Sequence, residues 1–199
     1  MSSSSARSST GALRNPQTHQ AILESTIEIL KESGYCGVSI ESVARRAGAS
    51  KPTIYRWWPN KAALIAEVYE SESDRVRQMP DLGSLQEDLS FLLHNLWGAW
   101  RETICGEAFR SVIAEAQLDP IMLAQLKDEF MARRRDMPRR LLQNAANRGE
   151  LAEHVNPELL LDLIFGFCWY RLLTEQLTAV QDIDVFIDML LLGVTARHA

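Results

Sequence analysis

The chain has 199 residues, 46% of them apolar and 24% charged, and a net charge of −5 at neutral pH. A domain of this size buries roughly 70% of its unfolded surface, so a core can form without a metal or a disulfide frame. Three widely spaced cysteines, Cys36, Cys105 and Cys168, with no Cys-x-x-Cys pair, speak against a thiolate metal site and for a reducing compartment.

The net charge conceals a split. Residues 1–60 hold seven Lys/Arg against four Asp/Glu, and the remainder holds 14 against 22. A basic end suits a polyanion, and an acidic end is repelled by one, which orients the molecule. The first 15 residues are polar and serine-rich, with no apolar stretch of a secretory signal. They read as a tail whose Arg7 and Arg14 are either solvated or near phosphates. The most apolar run, Leu159 to Leu173, is interrupted by Asp162, Gly166 and Arg171 and falls short of the roughly 18 residues of a membrane span. The cytoplasm is the expected location, and no membrane, metal or cofactor is expected.

From Pro16 to Ser33, the residues Ala21, Ile22, Thr26, Ile29 and Leu30 recur at helical spacing, and Gly34 supplies a stop. Ser39 is a natural cap for a short helix with Ile40, Val43, Ala44 and Ala47 inward. Gly48 then reverses the chain, and Ser50 caps a third helix with Pro52 in its first turn. Pro59-Asn60 ends that helix and opens a fourth, Lys61 to about Gln78. Pro80-Asp81-Leu82-Gly83 is the clearest boundary in the chain. Beyond it the pattern predicts helices from Ser84 to about Thr103, Gly106 to Gln117, Pro120 to Arg148, Pro157 to Glu175 and Asp182 to Arg197. Pro138 is expected to kink or split the third of these. No alternating pattern long enough for a strand occurs, so the fold class is all-α.

The second and third helices, joined by a glycine turn, have the form of a helix-turn-helix, whose second helix enters the major groove by its N-terminal residues. Here these are Ser50, Lys51, Pro52 and Thr53. Lys51 can donate to a guanine edge, and Thr53 or Pro52 can meet a thymine methyl. Tyr55, Arg56 and Lys61 suit phosphates, which set position rather than sequence, and Ser39 and Ser42 add hydroxyls at the start of the second helix. Between Arg45 and Lys61 lie five basic residues and no acidic one. Taken singly, Arg45 and Arg46 would be a solvated helix face, and Ile54 and at least one of Trp57 and Trp58 would be core.

The stretches Ser39-Ile40-Glu41-Ser42-Val43-Ala44, Ala47 to Tyr55 and Asn60-Lys61-Ala62-Ala63-Leu64 together resemble the tetracycline-repressor (TetR) family of bacterial regulators. Segments around Ala108 to Pro120 and Phe165 to Leu173 also look like the regulatory domain of one subgroup. Trp57-Trp58 is bulkier than the family's usual residues there. The resemblance implies about nine helices, a homodimer, and repression relieved by a small ligand. It divides the chain into a tail (1–15), a DNA-binding domain (16–62) and a ligand-binding and dimerisation domain (63–199).

In the acidic half, 12 of the 15 residues from Leu159 to Leu173 are apolar. A helix apolar all round must be covered all round. Either it is a buried core helix of a monomer, or its second face meets another chain. With the stripe of Val185, Phe186, Met189, Leu190 and Val194, two such helices per subunit would build a four-helix seam with C2 symmetry. Leu160, Leu163, Ile164, Phe167, Phe186, Met189 and Leu190 are its expected residues. An inverted-repeat DNA site would follow, because two reading helices must reach successive grooves. Candidate effector-facing residues are His94, Trp97, Trp100, Cys105, Phe109, Phe130 and Trp169, each with ordinary core packing as the alternative. The run Arg133-Arg134-Arg135 is a solvated helix face or a contact for an anionic effector.

No catalytic signature is present: no Gly-x-Ser-x-Gly, phosphate-cradling glycine loop, His-Glu-x-x-His or Cys/His cluster. Glu115 and Asp119 are a carboxylate pair at helical spacing of the kind usually found as surface charge. The remaining rival is a helical protein-interaction module without DNA binding.

Overall fold

The computed structural model describes residues 15–73 and 80–194, the side chain of Val194 excepted. The tail with Arg7 and Arg14, the predicted end of the fourth helix near Gln78 and that of the last near Arg197 lie outside the described residues. Among those described, the chain is helical throughout, in nine helical rods. Its backbone divides into two compact units between Leu64 and Ile65, inside the fourth helix.

The first unit begins with α1 (Pro16–Gly37), opened by Asn15, whose side chain accepts from the N–H groups of Gln17 and Thr18. Regular α geometry stops at Gly34, as the sequence predicts, and one further turn leads to Val38. α2 (Ile40–Ala47) is fixed by a reciprocal cap: Ser42 N–H donates to Ser39 Oγ and Ser39 N–H to Ser42 Oγ, both at 3.0 Å. Gly48 takes a left-handed conformation, φ 63° and ψ 26°, that a side chain would resist, and turns the chain into α3 (Lys51–Trp57). Ile22, Ile29, Leu30, Val43, Ala44, Ile54 and Trp58 form the buried centre of this unit. Trp58 stacks on His19 of α1, with ring centroids 5.2 Å apart, so the bulky Trp57-Trp58 pair anchors the end of α3 on α1. α4 (Lys61–Ser73) follows, capped by Asn60, which accepts from Ala63 N–H at 2.8 Å.

The second unit contains α5 (Leu85–Glu102), α6 (Cys105–Ala116), α7 (Pro120–Gln125), α8 (Ala132–Asn147), α9 (Pro157–Leu173) and α10 (Gln181–Val194). The tight α5–α6 corner requires glycine at 106, where a Cβ would lie 2.1 Å from the carbonyl oxygen of Trp100. At the far end of α5, buried Asp88 accepts from Leu82 N–H at 2.8 Å and pairs with Arg148 at 3.0 Å, tying the start of α5 to the end of α8. Asp119 does not work with Glu115 as a pair; its carboxylate caps α7.

The helix predicted from Pro120 to Arg148 is one rod, but its irregularity is not where proline alone would put it. A π-helical turn, Leu126–Met131, joins α7 to α8, and α8 continues through Pro138. Pro138 removes only the bond to the carbonyl of Arg134. The burial of Pro138, Leu141 and Leu142 holds the helix together across that gap.

Candidate DNA-binding surface and effector cavity

On α3, Ile54 is fully buried, and the side chains on its two sides along the sequence diverge from it. Lys51, Pro52, Tyr55 and Arg56 are exposed, and Thr53 is half-buried. Tyr55 leaves 51% of its surface open. Ser50 caps α3 by accepting from Thr53 N–H at 3.3 Å, and its hydroxyl meets that of Thr53 at 2.8 Å. Ser39 and Ser42 spend their hydroxyls on the cap of α2. Three cations of this region already have partners. Lys51 pairs with Glu41 of α2, and Arg46 reaches back to α1, pairing with Glu32 at 2.6 Å and Glu28 at 3.7 Å. Lys61 is half-buried, with its ammonium 3.7 Å from the centre of the Tyr35 ring, and burial lowers its pKa. Arg56 and Arg45 are exposed, Arg56 lying 5.7 Å from the Trp57 ring.

The second unit holds a cavity of about 100 Å³ among α4, α5, α6, the π turn, α8 and α9. That is room for several water-sized groups. Its lining includes four pairs of side chains spaced four residues apart: Tyr69 with Ser73, Phe91 with Asn95, Phe130 with Arg134, and Phe165 with Trp169. Trp100 and Phe109 close it, stacked with centroids 5.8 Å apart, and Trp100 Nε1 donates to Tyr69 Oη at 2.9 Å. Burial raises the Tyr69 pKa, so the phenol stays neutral.

Of the expected effector-facing residues, Trp100, Phe109, Phe130 and Trp169 line this cavity, whereas His94, Trp97 and Cys105 do not. His94 and Trp97 lie on another face of α5. His94 is 3.5 Å from Asp184 of α10, and Trp97 stacks on Phe167 of α9 with centroids 5.6 Å apart. Cys105 is buried in the α5–α6 corner, and burial raises its thiol pKa. Cys168, also buried, is pushed up to about 12, so neither thiol is a nucleophile at neutral pH.

α9 has two faces. Leu160, Leu161, Ile164, Cys168 and Leu172 are buried, whereas Leu159, Leu163, Gly166, Tyr170 and Leu173 are exposed. Leu163 leaves 60% of its surface open, and on α10 Met189 leaves 69% and Leu192 78%. Phe167 and Phe186 stack face to face at 4.0 Å and hold α9 to α10. Leu160 and Ile164, expected at an intersubunit seam, therefore belong to the chain's own core, and Leu163 and Met189 lie on the open face. Phe167, Phe186 and Leu190 are half-buried between the two.

Residues 22–68 match the bacterial regulatory proteins of the tetR family, and residues 79–191 match the tetracyclin repressor-like C-terminal domain. The chain belongs to the TetR family. It is 35% identical over 167 residues, 84% of each chain, to the HTH-type transcriptional regulator YdeS of Bacillus subtilis. It is 30% identical over 156 residues to the DNA-binding transcriptional repressor TetR of Mycobacteroides abscessus, covering 76% of this chain and 80% of that one. The crystal structure of the TetR family transcription regulator SCO0332 matches at TM-score 0.77 and 27% identity, over 90% of this chain and 100% of that one.

This TetR-family protein is thus a DNA-binding transcriptional regulator with an N-terminal helix-turn-helix and a helical C-terminal domain. Among its described residues, no helix is long and apolar enough to cross a membrane, and no cluster of His, Cys, Asp and Glu is placed to hold a metal ion. The cavity residues absent from the expected effector-facing set include Tyr69, Ser73, Phe91, Asn95 and Phe165, and Arg134 comes from the arginine run that the sequence left as either a solvated face or an anion contact. The signal that marks them is the four-residue spacing of an aromatic with a second lining residue, repeated on four helices.

Proposed function

We propose that this TetR-family regulator is a homodimeric repressor that grips an inverted-repeat operator with two copies of α3 and lets go when a small molecule enters the aromatic cavity. The observation that carries the DNA reading is the division of α3, with Ile54 wholly buried and Lys51, Pro52, Tyr55 and Arg56 in solvent. Lys51 and Thr53 are assigned to base edges, and Tyr55 and Arg56 to phosphates. Ser50 and Ser39 stand at the exposed ends of α3 and α2 beside them, and the half-buried Ser42 and Lys61 support the position of that surface.

The dimer reading is supported by the open apolar stripe of Leu159, Leu163, Tyr170, Val185, Met189 and Leu192, which is costly to leave in water. A second copy presenting the same stripe covers it by two-fold symmetry. Two cavity residues, Tyr69 and Ser73, lie on α4, the helix whose first turn carries Lys61. A ligand that prefers one setting of α4 shifts the population toward it, which is all that release requires. Repression as the sign of regulation is the mode of the Mycobacteroides abscessus relative.

The test is a mobility shift with duplex DNA from the region flanking the gene, at 50 to 200 mM salt. The expected result is a sequence-selective complex holding two chains, weakening steeply with salt as released counterions dictate. Lys51→Ala should relax sequence preference, and Arg56→Ala should weaken all duplexes alike. Absence of any selective complex, or identical effects from the two variants, would overturn the assignment.

A further inference from the structure

We infer that the cavity selects an amphipathic anion: a small, flat apolar body bearing one acidic group that is ionised at neutral pH, recognised by Arg134. This rests on the reading of the cavity as the effector site and names the class of effector it takes.

The lining is almost wholly aromatic and aliphatic and includes one charged side chain, Arg134, with no Asp or Glu. Its two neighbours in the sequence are neutralised: Arg133 pairs with Glu70 at 2.6 Å, and Arg135 pairs with Asp162 and with Glu158 at 3.6 Å. Among the described residues no carboxylate lies within ion-pair distance of Arg134. Its guanidinium donates to the neutral hydroxyl of Ser73 and lies 4.6 Å from the centre of the Tyr69 ring and 5.5 Å from that of Phe130. Among the described residues, aromatic faces and one hydroxyl satisfy part of that group, and no carboxylate balances its charge. Guanidinium is the side chain whose planar fork fits a carboxylate or similar oxyanion in two-point contact, and such a bond strengthens where water is scarce.

The backbone beneath Arg134 is specialised as well. It follows the π turn Leu126–Met131 and precedes Pro138 by four residues, so its carbonyl lacks the helical N–H it would otherwise accept. π turns mark functional positions in helices with some regularity, and Phe130 within this one lines the cavity together with Arg134. The remaining lining, Phe91, Trp100, Phe109 and Trp169, offers flat faces to the ligand's body, and Asn95 offers one polar group.

A matched pair of probes separates the charge from the body: 2-naphthoate and its neutral isostere 2-naphthamide, titrated into the full chain by calorimetry. The acid should bind at least tenfold more tightly than the amide, the scale of one charge-assisted contact. Arg134→Met should abolish that preference while leaving amide binding within about threefold, and Arg134→Lys should restore part of it. Ala99→Phe, which fills the cavity, should block both probes. Equal binding of acid and amide to the unmodified protein, with both blocked by Ala99→Phe, would overturn the anion preference and leave the cavity as the effector site. Binding of neither probe, or binding unaltered by Ala99→Phe, would overturn the cavity as the effector site and the anion preference with it.

Discussion

Lys51 at the start of α3 is held in an ion pair by Glu41 of α2, so the side chain proposed for a guanine edge is already engaged in the free protein. Both groups are largely solvent-exposed, and such a pair is weak and easily exchanged. If Lys51 reads a base edge as proposed, the pair would act on choice: Lys51 would exchange Glu41 only for an acceptor of good geometry, and Glu41 would repel phosphates that approach out of register. Glu41→Gln should therefore tighten binding to non-cognate duplex by roughly threefold at low salt. Cognate binding should change less, which lowers the specificity ratio. Fluorescence anisotropy on cognate and scrambled duplexes checks it; unchanged non-cognate affinity would refute the gate.

The two faces of α9 give opposite predictions for two leucines three residues apart. Leu163→Glu, on the open face, should yield a folded monomer by light scattering at micromolar concentration. Leu160→Ala, with Leu160 only 2% exposed, should leave the assembly intact but lower stability by about 2–5 kcal/mol in denaturant titration. A monomeric mass for the unmodified chain would remove the seam altogether.

How much of this was legible beforehand differs between the two halves of the chain. In the first, local chemistry sets structure: Ser39, Gly48, Ser50 and Pro52 each mark a helix end by a mechanism within a few residues, and each is found at one. The sequence also places Ile54 and a tryptophan in the core, where Ile54 and Trp58 are found. In the second half, helix positions are readable from periodicity, but the partner of each face is not. Leu160 and Leu163 are the same residue type in the same run, and only the packing of α9 tells which is core. Arg133, Arg134 and Arg135 are likewise alike on paper. A helix spaces successive residues about 100° apart, which sends one to Glu70, one to the cavity and one to Asp162. His94, Trp97 and Cys105 have the composition of a pocket but not the direction. Asp88 with Arg148, 60 residues apart, leaves no sequence signal at all.

Acid should act through Glu158. Hydrogen bonding to Arg139, at 2.6 and 3.1 Å, holds its carboxylate below the ordinary 4.5. With a depressed folded value, its contribution to stability is complete above about pH 4.5 and is lost as the pH falls through the lower folded value. Glu158→Gln should therefore melt below the unmodified protein at pH 7, and the gap should close toward pH 3. A gap that stays constant across that range would contradict the role of the pair.

Gly106→Ala should be among the costliest single-methyl additions, because the new Cβ would meet the Trp100 carbonyl at 2.1 Å. Backbone on both sides must shift, at a cost of about 1–3 kcal/mol. Chemical denaturation measures this directly. Since Trp100 also lines the cavity, probe binding should weaken in the same variant. A stability loss below about 0.5 kcal/mol would show that the corner yields without strain.

The most direct test of the account is selection of bound duplexes from a random DNA pool by the full chain, followed by sequencing. If two copies of α3 read successive major grooves, the enriched sequences should be inverted repeats. Their half-sites should lie about one helical turn, or a multiple of it, apart. Enrichment of a lone half-site, of direct repeats, or of no sequence at all would contradict it.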